Sequence, residues 1–355
     1  MQSVIHLNLR VDPTQYIPQI REVPGYDYIH LVRQPKYMTD LSLLNAKVHY
    51  LNEIYSPKDF VKKNKVSLLH AHHGQLGILL LPFKEKTNLP LVTSIRGRDA
   101  TLADQPVGYL EHMKMLFEQG DQFYPVCHYL AERLKDWGCP AKKIKVLYGG
   151  VDLNKYQYRA PDLQGTGQNI LSVGRLVEKK GHHVLMQAYK KIKDKFPDSS
   201  LTIIGKGELQ EELISLANQL NLGDSFRLLN HLPKEIVQEH MRNADLFCAA
   251  SLAASNGDLE GIPNTLKEAM AIGVPVVSTY HAGIPELITH DHEGILVQEN
   301  NVDELAEALE FMLNHRSIWE SYTKAARRKI ERCFDAEKQL QLQAKYYNEL
   351  LGGKR

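Results

Sequence analysis

A chain of 355 residues is long enough for two domains with full cores. Its 43 Lys and Arg against 42 Asp and Glu leave a net charge of +1, which argues against a nucleic-acid binder, a class that carries a strong basic excess. Cys127, Cys139, Cys248 and Cys333 stand apart, without close pairing or metal-ligand spacing, as the reduced thiols of a cytosolic protein do.

The opening run MQSVIHLNLRVDPTQ has no apolar core of signal-peptide length, and no later run approaches the roughly 18 apolar residues of a membrane span. The expected location is cytoplasmic. Short basic stretches, KDFVKKNK and AKKIKVL, read as solvated faces, with peripheral contact at the inner face of a membrane left as an option.

In chain order, strand-like apolar runs alternate with longer amphipathic stretches: VIHLNL, YIHLV, VSLLHAH, LPLVTSI, DQFYPV and IKVLYG. That rhythm predicts a parallel α/β sheet. SLLHAHHGQLG gathers His70, His72 and His73 before Gly74, with no carboxylate or cysteine ligand beside them. Local hydrogen bonding is the expectation there, and no metal site is assigned. In LPLVTSIRGRDATLADQP, Arg96 either binds an acidic group or a phosphate, or Arg96 or Arg98 forms a salt bridge to Asp99. After a loop-like stretch at 156–167 the rhythm restarts at NILSVG, SLTIIG, SFRLLN, ADLFCAA and VPVVST. Between these runs, HHVLMQAYKKIKDKF and ELQEELISLANQL have helical spacing, and AEKQLQLQAKYYNELL reads as a last helix. Two Rossmann-like domains are expected, 1–155 and 156–334, with a linker near 153–167 and strand C-terminal ends facing a common cleft.

Two stretches of the second half carry chemistry. In SVGRLVEKKGHHVLMQAY a strand ends at Gly174, where a missing side chain permits close backbone approach, and Arg175 and Lys180 supply two cations suited to a diphosphate. In SLAASNGDLEGIPNTLKEAMAIGVPVVST, Gly257, Asp258 and Gly261 mark a loop, and Pro263 suits a first helical residue because its missing N–H would be unbonded there. The amides around Gly261, Ile262, Asn264 and Thr265 would then form a positive helix end facing phosphate or sugar oxygens. Glu260 in the loop and Glu268 in the helix could each accept paired hydrogen bonds from hydroxyls of one ligand.

These stretches, with the two glutamates separated by seven residues and the later Gly283, Ile284, Pro285, Glu286 and HEGILV, resemble the retaining GT-B glycosyltransferases of glycosyltransferase family 4. The resemblance implies a GT-B fold, two Rossmann-like domains with parallel sheets facing a central cleft, an N-terminal acceptor domain and a C-terminal nucleotide-sugar domain, with the helix at 335–351 packing back on the first. It implies that Glu260 holds sugar hydroxyls, Glu268 the ribose diol, and Gly174, Arg175 and Lys180 the diphosphate. The turn from His231 and Leu232 to Lys234 would frame the base, and Ser251 would line the cleft. Gly150, Val151 and Asp152 match the interdomain stretch. Two departures stand out. Arg96 occupies the place of a family histidine near the reacting sugar, and arginine cannot act as a neutral proton carrier. The first strand lacks the usual glycine-rich loop.

The expectation is a retaining, metal-independent hexosyltransferase. It would move a sugar from a UDP- or GDP-sugar co-substrate, with no separate cofactor, to a saccharide or lipid-linked saccharide acceptor in exopolysaccharide or glycolipid synthesis. No DxD metal motif is present. The alternatives are a GT-B epimerase or hydrolase of nucleotide sugars, and a catalytically silent sugar-nucleotide-binding subunit.

Overall fold

The computed structural model describes residues 2–8, 23–32, 47–102, 105–165 and 167–352. The stretch that would show the missing glycine-rich loop, 9–22, lies outside them. The chain divides into two units, Met1–Gly150 with Ala336–Arg355, and Val151–Asp335.

In the first unit, β1 (Gln2–Asn8), β2 (Tyr26–Val32), β3 (Lys47–Tyr50), β4 (Val66–Ala71), β5 (Leu91–Ile95) and β6 (Gln122–Pro125) form one sheet, ordered β3-β2-β1-β4-β5-β6. Every pairing is parallel. Strands buried on both faces admit few polar residues, which is why LVTSI and its neighbours read as mostly apolar runs. Helix Gly74–Thr87 packs on β4 and β5. The last helix, Ala336–Gly352, enters this unit's core through Leu340, Ala344 and Tyr347.

The second unit repeats the order. Strands β7 (Asn169–Val173), β8 (Ser200–Ile204), β9 (Phe226–Leu229), β10 (Leu246–Ala249), β11 (Val276–Thr279) and β12 (Ile295–Val297) run β12-β11-β10-β7-β8-β9. Its core joins β7, β8 and β10 to Val184, Leu185 and Tyr189 of helix His182–Lys193 and to Leu305, Leu309 and Met312 of helix Val302–Asn314. Both sheets thus have the doubly wound order 3-2-1-4-5-6, whose topological switch point lies between the first and fourth strands.

One sequence expectation is corrected, and two strands went unread. IKVLYG is not a strand: one isolated bridge, Ile144 to Phe123, and the bonds from Lys145 and Leu147 N–H to Phe123 and Pro125 lay it along β6 as irregular chain. Lys47–Tyr50 and Ile295–Val297, four and three residues long, are strands too short for periodicity to reveal.

At the crossings, Gly150 lies so near Ala336 that a Cβ on it would stand 2.4 Å from the Ala336 Cα. The next residue, Val151, donates to Phe334 O at 2.7 Å.

Candidate functional site

In the second unit the site is built at the C-terminal ends of β7 and β10, on either side of the switch point. Beyond β7 the chain makes a single turn of 3-10 helix, Glu178–Lys180, and reverses at Gly181. Gly181 has φ +62°, and a Cβ there would collide with Ala250 O at 1.8 Å, so glycine is what lets this turn lie against the end of β10. Leu252 N–H donates to Lys179 O at 3.0 Å and fastens the two segments. Helix Asn264–Ile272 is tied to the same place, because Thr265 Oγ1 donates to Val173 O at 2.9 Å. Pro263 is the residue before this helix rather than its first turn. Its carbonyl accepts the first helical bond, from Lys267 N–H at 3.3 Å.

The turn brings two lysines onto the loop before that helix. Lys179, 4% exposed, bonds Asp258 at 3.0 Å and Leu259 O at 3.0 Å and lies 3.6 Å from Glu260 Oε1. Lys180 pairs with Glu260 Oε2. Its stem lies over Gly174, where a Cβ would stand 3.3 Å from Lys180 Cδ. Burial, with the charges of Lys179 and Arg175 beside it, pulls the Lys180 ammonium down to about 7, while Asp258 pulls the other way. Arg175 is exposed on the same turn.

Glu268, on the same helix as Thr265, has other partners. Burial raises its carboxyl, a hydrogen bond with the Tyr156 hydroxyl opposes that, and Lys234, Lys267 and Lys155 contribute in the same sense as Tyr156. His231 is exposed and Leu232 half-buried in the connection between β9 and helix Lys234–Arg242. Ser251 is buried, and its Oγ has no hydrogen-bond partner among the described residues.

The structure therefore brings Glu260, Lys180, Gly174 and Thr265 together, with Arg175 on their turn, and pairs Glu268, one helical turn beyond Thr265, with Tyr156. Sequence reasoning missed Lys179, Asp258 as an ion-pair partner, Tyr156 and His281. His281 is buried after β11 and takes the Glu260 N–H on Nε2 at 3.2 Å. In KKG the two lysines are equivalent as text. Only the turn geometry buries one beneath the loop and lays the other over Gly174.

In the first unit the histidines that converge are His6, His70 and His72, not His70, His72 and His73. His6 and His70 are register partners on β1 and β4, and His30 on β2 continues the row. His73 turns away to Asp99 at 3.5 Å. Asp99 accepts from the Arg96, Gly97 and Gly74 N–H groups at 2.8, 2.9 and 3.2 Å.

Donor and acceptor rules fix the ring proton of His72. Gln343 donates to the Tyr347 hydroxyl, which is bonded to His70 Nδ1, and His70 Nε2 is bonded to Ser94 Oγ at 2.8 Å. Arg96 Nη2 donates to His72 Nδ1 at 3.4 Å, so His72 Nε2–H donates to His6 Nδ1 at 2.7 Å. His6 Nε2 is then a proton-bearing donor with no partner among the described residues. Burial holds all three rings neutral, with His70 brought down to about 3 and His6 and His72 well below the usual imidazole value. A cation here would displace these bonds and meet the Arg96 charge. The cluster reads as a buried polar core at the β1/β4 switch point, hydrogen-bonded within itself except at His6 Nε2.

Among the described residues, no helix is long and apolar enough to cross a membrane.

Comparison with known proteins agrees with this architecture. Residues 15–155 match the family model "Glycosyltransferase Family 4", and residues 157–329 match "Glycosyl transferases group 1". The putative colanic acid biosynthesis glycosyltransferase WcaL of Salmonella typhimurium is 35% identical over 270 residues, covering 75% of this chain and 66% of the relative. The amylovoran biosynthesis glycosyltransferase AmsK of Erwinia amylovora is 35% identical over 267 residues, with the same coverage. The matched region thus spans just under two thirds of these relatives' length. Among solved structures, Anabaena HepE in complex with UDP-glucose superposes with a TM-score of 0.81 over 98% of this chain and 99% of its own, at 17% identity, a likeness of fold. Both halves fall to one class, and the chain belongs to the glycosyltransferases, joining a Glycosyltransferase Family 4 N-terminal unit to a C-terminal unit of the glycosyl transferases group 1.

Proposed function

We propose that this protein is a retaining glycosyltransferase that moves a hexosyl group from a nucleotide-sugar donor to a hydroxyl of a saccharide or lipid-linked saccharide acceptor, in exopolysaccharide biosynthesis. The observation that carries the reading is the meeting of Lys180 and Glu260 at the end of β7, beside the helix that begins at Asn264. Relatives whose names specify colanic acid and amylovoran biosynthesis support the polysaccharide assignment, and the UDP-glucose complex of a protein of the same fold supports a nucleotide-sugar donor.

Cleaving the donor leaves negative charge on the departing diphosphate. Arg175 and Lys180 are placed by this reading against that group, where cations whose contact strengthens as charge grows lower the barrier. Bound diphosphate would favour the charged form of Lys180 and compete for it with Glu260, freeing that carboxylate for sugar hydroxyls. Glu268 takes the ribose diol, and the main chain at His231 and Leu232 frames the base. Gly261, Ile262, Pro263, Asn264 and Thr265 line the approach of the sugar to the helix start. Arg96 on the first unit takes an acidic group of the acceptor. No step calls for a metal ion.

The test is a thermal-shift panel of UDP, GDP, ADP and their common sugars, with and without EDTA. A ligand at about 100 times its Kd stabilises by about 2.7 kcal/mol, well within detection. A shift with one nucleotide, indifferent to EDTA, and turnover lowered about 100-fold or more by Lys180→Ala are the expected results. A silent panel, with no sugar transfer, would overturn the reading in favour of a subunit that has lost its donor.

A further inference from the structure

His281 is not among the residues assigned above, yet it holds the loop that carries Glu260. The loop has two limbs, and each is tied to the same pair of side chains. On one limb, Glu260 N–H donates to His281 Nε2 at 3.2 Å. On the other, Ala253 N–H donates to Glu299 Oε2 at 2.9 Å. The pair is closed by His281 Nδ1 and Glu299 Oε2 at 2.6 Å. A second tie runs beside it, from Gly283 N–H to Gly261 O at 3.1 Å.

These partners leave His281 one protonation state. A peptide N–H only donates, so Nε2 must offer its lone pair; an ionised carboxylate only accepts, so Nδ1 must carry the proton. The ring is 2% exposed and cannot exchange either partner for water. The turn that presents it is under strain: Ala282 has φ +44°, a left-handed conformation that costs a residue with a Cβ roughly 1 kcal/mol or more. Strain of this kind persists where surrounding contacts over-determine the backbone.

We propose that His281, neutral and protonated on Nδ1, is a positioning residue that fixes the main chain of Glu260, and that a second proton on the ring releases this loop. The role rests on the donor-site reading of Glu260 given above. The charged groups around the ring are Glu299, which favours a second proton, and Lys179 and Lys180, which oppose it. Asp258 and Glu260 pair with those lysines. Protonated His281 would turn an N–H toward the Glu260 N–H, two donors facing one another, and the loop would lose its bond.

Three measurements on the full chain test this. In unliganded wild type at pH 7.5, the imidazole nitrogen spectrum should report a protonated Nδ1 and a bare Nε2 for His281; the opposite tautomer overturns the proposal. Hydrogen exchange at the Glu260 amide should quicken at least tenfold in His281→Ala and stay slow in His281→Gln, whose amide oxygen can replace Nε2 as acceptor. Equal rates in wild type and His281→Ala overturn it. Finally, the melting shift produced by a UDP- or GDP-sugar should shrink in wild type as pH falls from 8 to 5 and be flatter in His281→Gln; the same acid loss in both overturns the pH release. If neither nucleotide sugar shifts the wild type, the donor reading fails while the first two measurements still decide whether His281 holds the loop.

Discussion

Three buried imidazoles make the first unit acid-sensitive. His6, His70 and His72 are at most 3% exposed and stay neutral when folded, with His70 at about 3 and the other two well below the usual value. In the unfolded chain each returns to about 6.5. A group depressed by folding contributes its full stability above the unfolded value and loses it as pH falls from there toward the folded one. Between pH 7.5 and 5.5 each ring therefore costs about 1.4 kcal/mol, and the three together cost about 4 kcal/mol. Asp99, whose carboxyl is held below its ordinary value, titrates well below that window.

The assay is urea unfolding at both pH values, read by hydrogen exchange on peptides of β1 to β6 separately from those of β7 to β12. The first unit should lose about 4 kcal/mol, a large part of the 5–15 kcal/mol typical of a domain. Stability flat to within about 1 kcal/mol would mean that the rings are protonated or solvated when folded, and the hydrogen-bond chain through Arg96 and Tyr347 would fall with that result.

Other perturbations have equally definite outcomes. Lys179→Ala leaves the Asp258 carboxylate and the Leu259 carbonyl without their buried cation, and should destabilise the second unit by about 3–5 kcal/mol in urea titration. A loss under about 1 kcal/mol would place Lys179 with exposed ion pairs. Tyr347→Phe removes the hydroxyl between His70 and Gln343, strands two buried polar groups, and should cost about 1–3 kcal/mol in the first unit; a neutral result would refute the hydrogen-bonded link between His70 and Gln343. Glu268→Gln should weaken nucleotide binding if the ribose diol needs the charged carboxylate. Because burial raises this carboxyl, wild-type affinity should begin to fall, on acidification, above the pH at which an ordinary glutamate protonates; an affinity indifferent to pH and to the substitution would remove Glu268 from the site.

The strand rhythm of both units was legible because fully buried parallel strands admit few polar residues, so LVTSI or NILSV announces itself. The short edge strands β3 and β12 were not, since a run of three or four residues has no period to detect. The polar clusters divide in the same way. Glu260 and Glu268 share one motif, yet folding sends one to two lysines and the other to a tyrosine more than 100 residues earlier in sequence. His70, His72 and His73 stand together in the chain, yet alternation across β4 and the turn after it separates His73 and recruits His6 from the neighbouring strand. Register is a property of pairing between strands, and spacing within one strand cannot supply it.

The shared strand order explains why both clusters arise where they do. At a switch point the loops leaving two adjacent strands diverge to opposite faces, and the strand ends are left as an open crevice. In the second unit Gly181 and Ala250 bring the main chains into contact, and the crevice keeps charge at its surface in Lys180, Glu260 and Arg175. In the first unit His6, His70 and His72 fill the equivalent place, with Arg96 bonded to the outermost ring. A crevice that retains paired charge can exchange an internal partner for a ligand's phosphate, because Lys180 already shares its site with a carboxylate. Buried neutral rings hydrogen-bonded to their neighbours cannot make that exchange cheaply. In the first unit Arg96 is bonded through its side chain to His72 and through its main-chain N–H to Asp99.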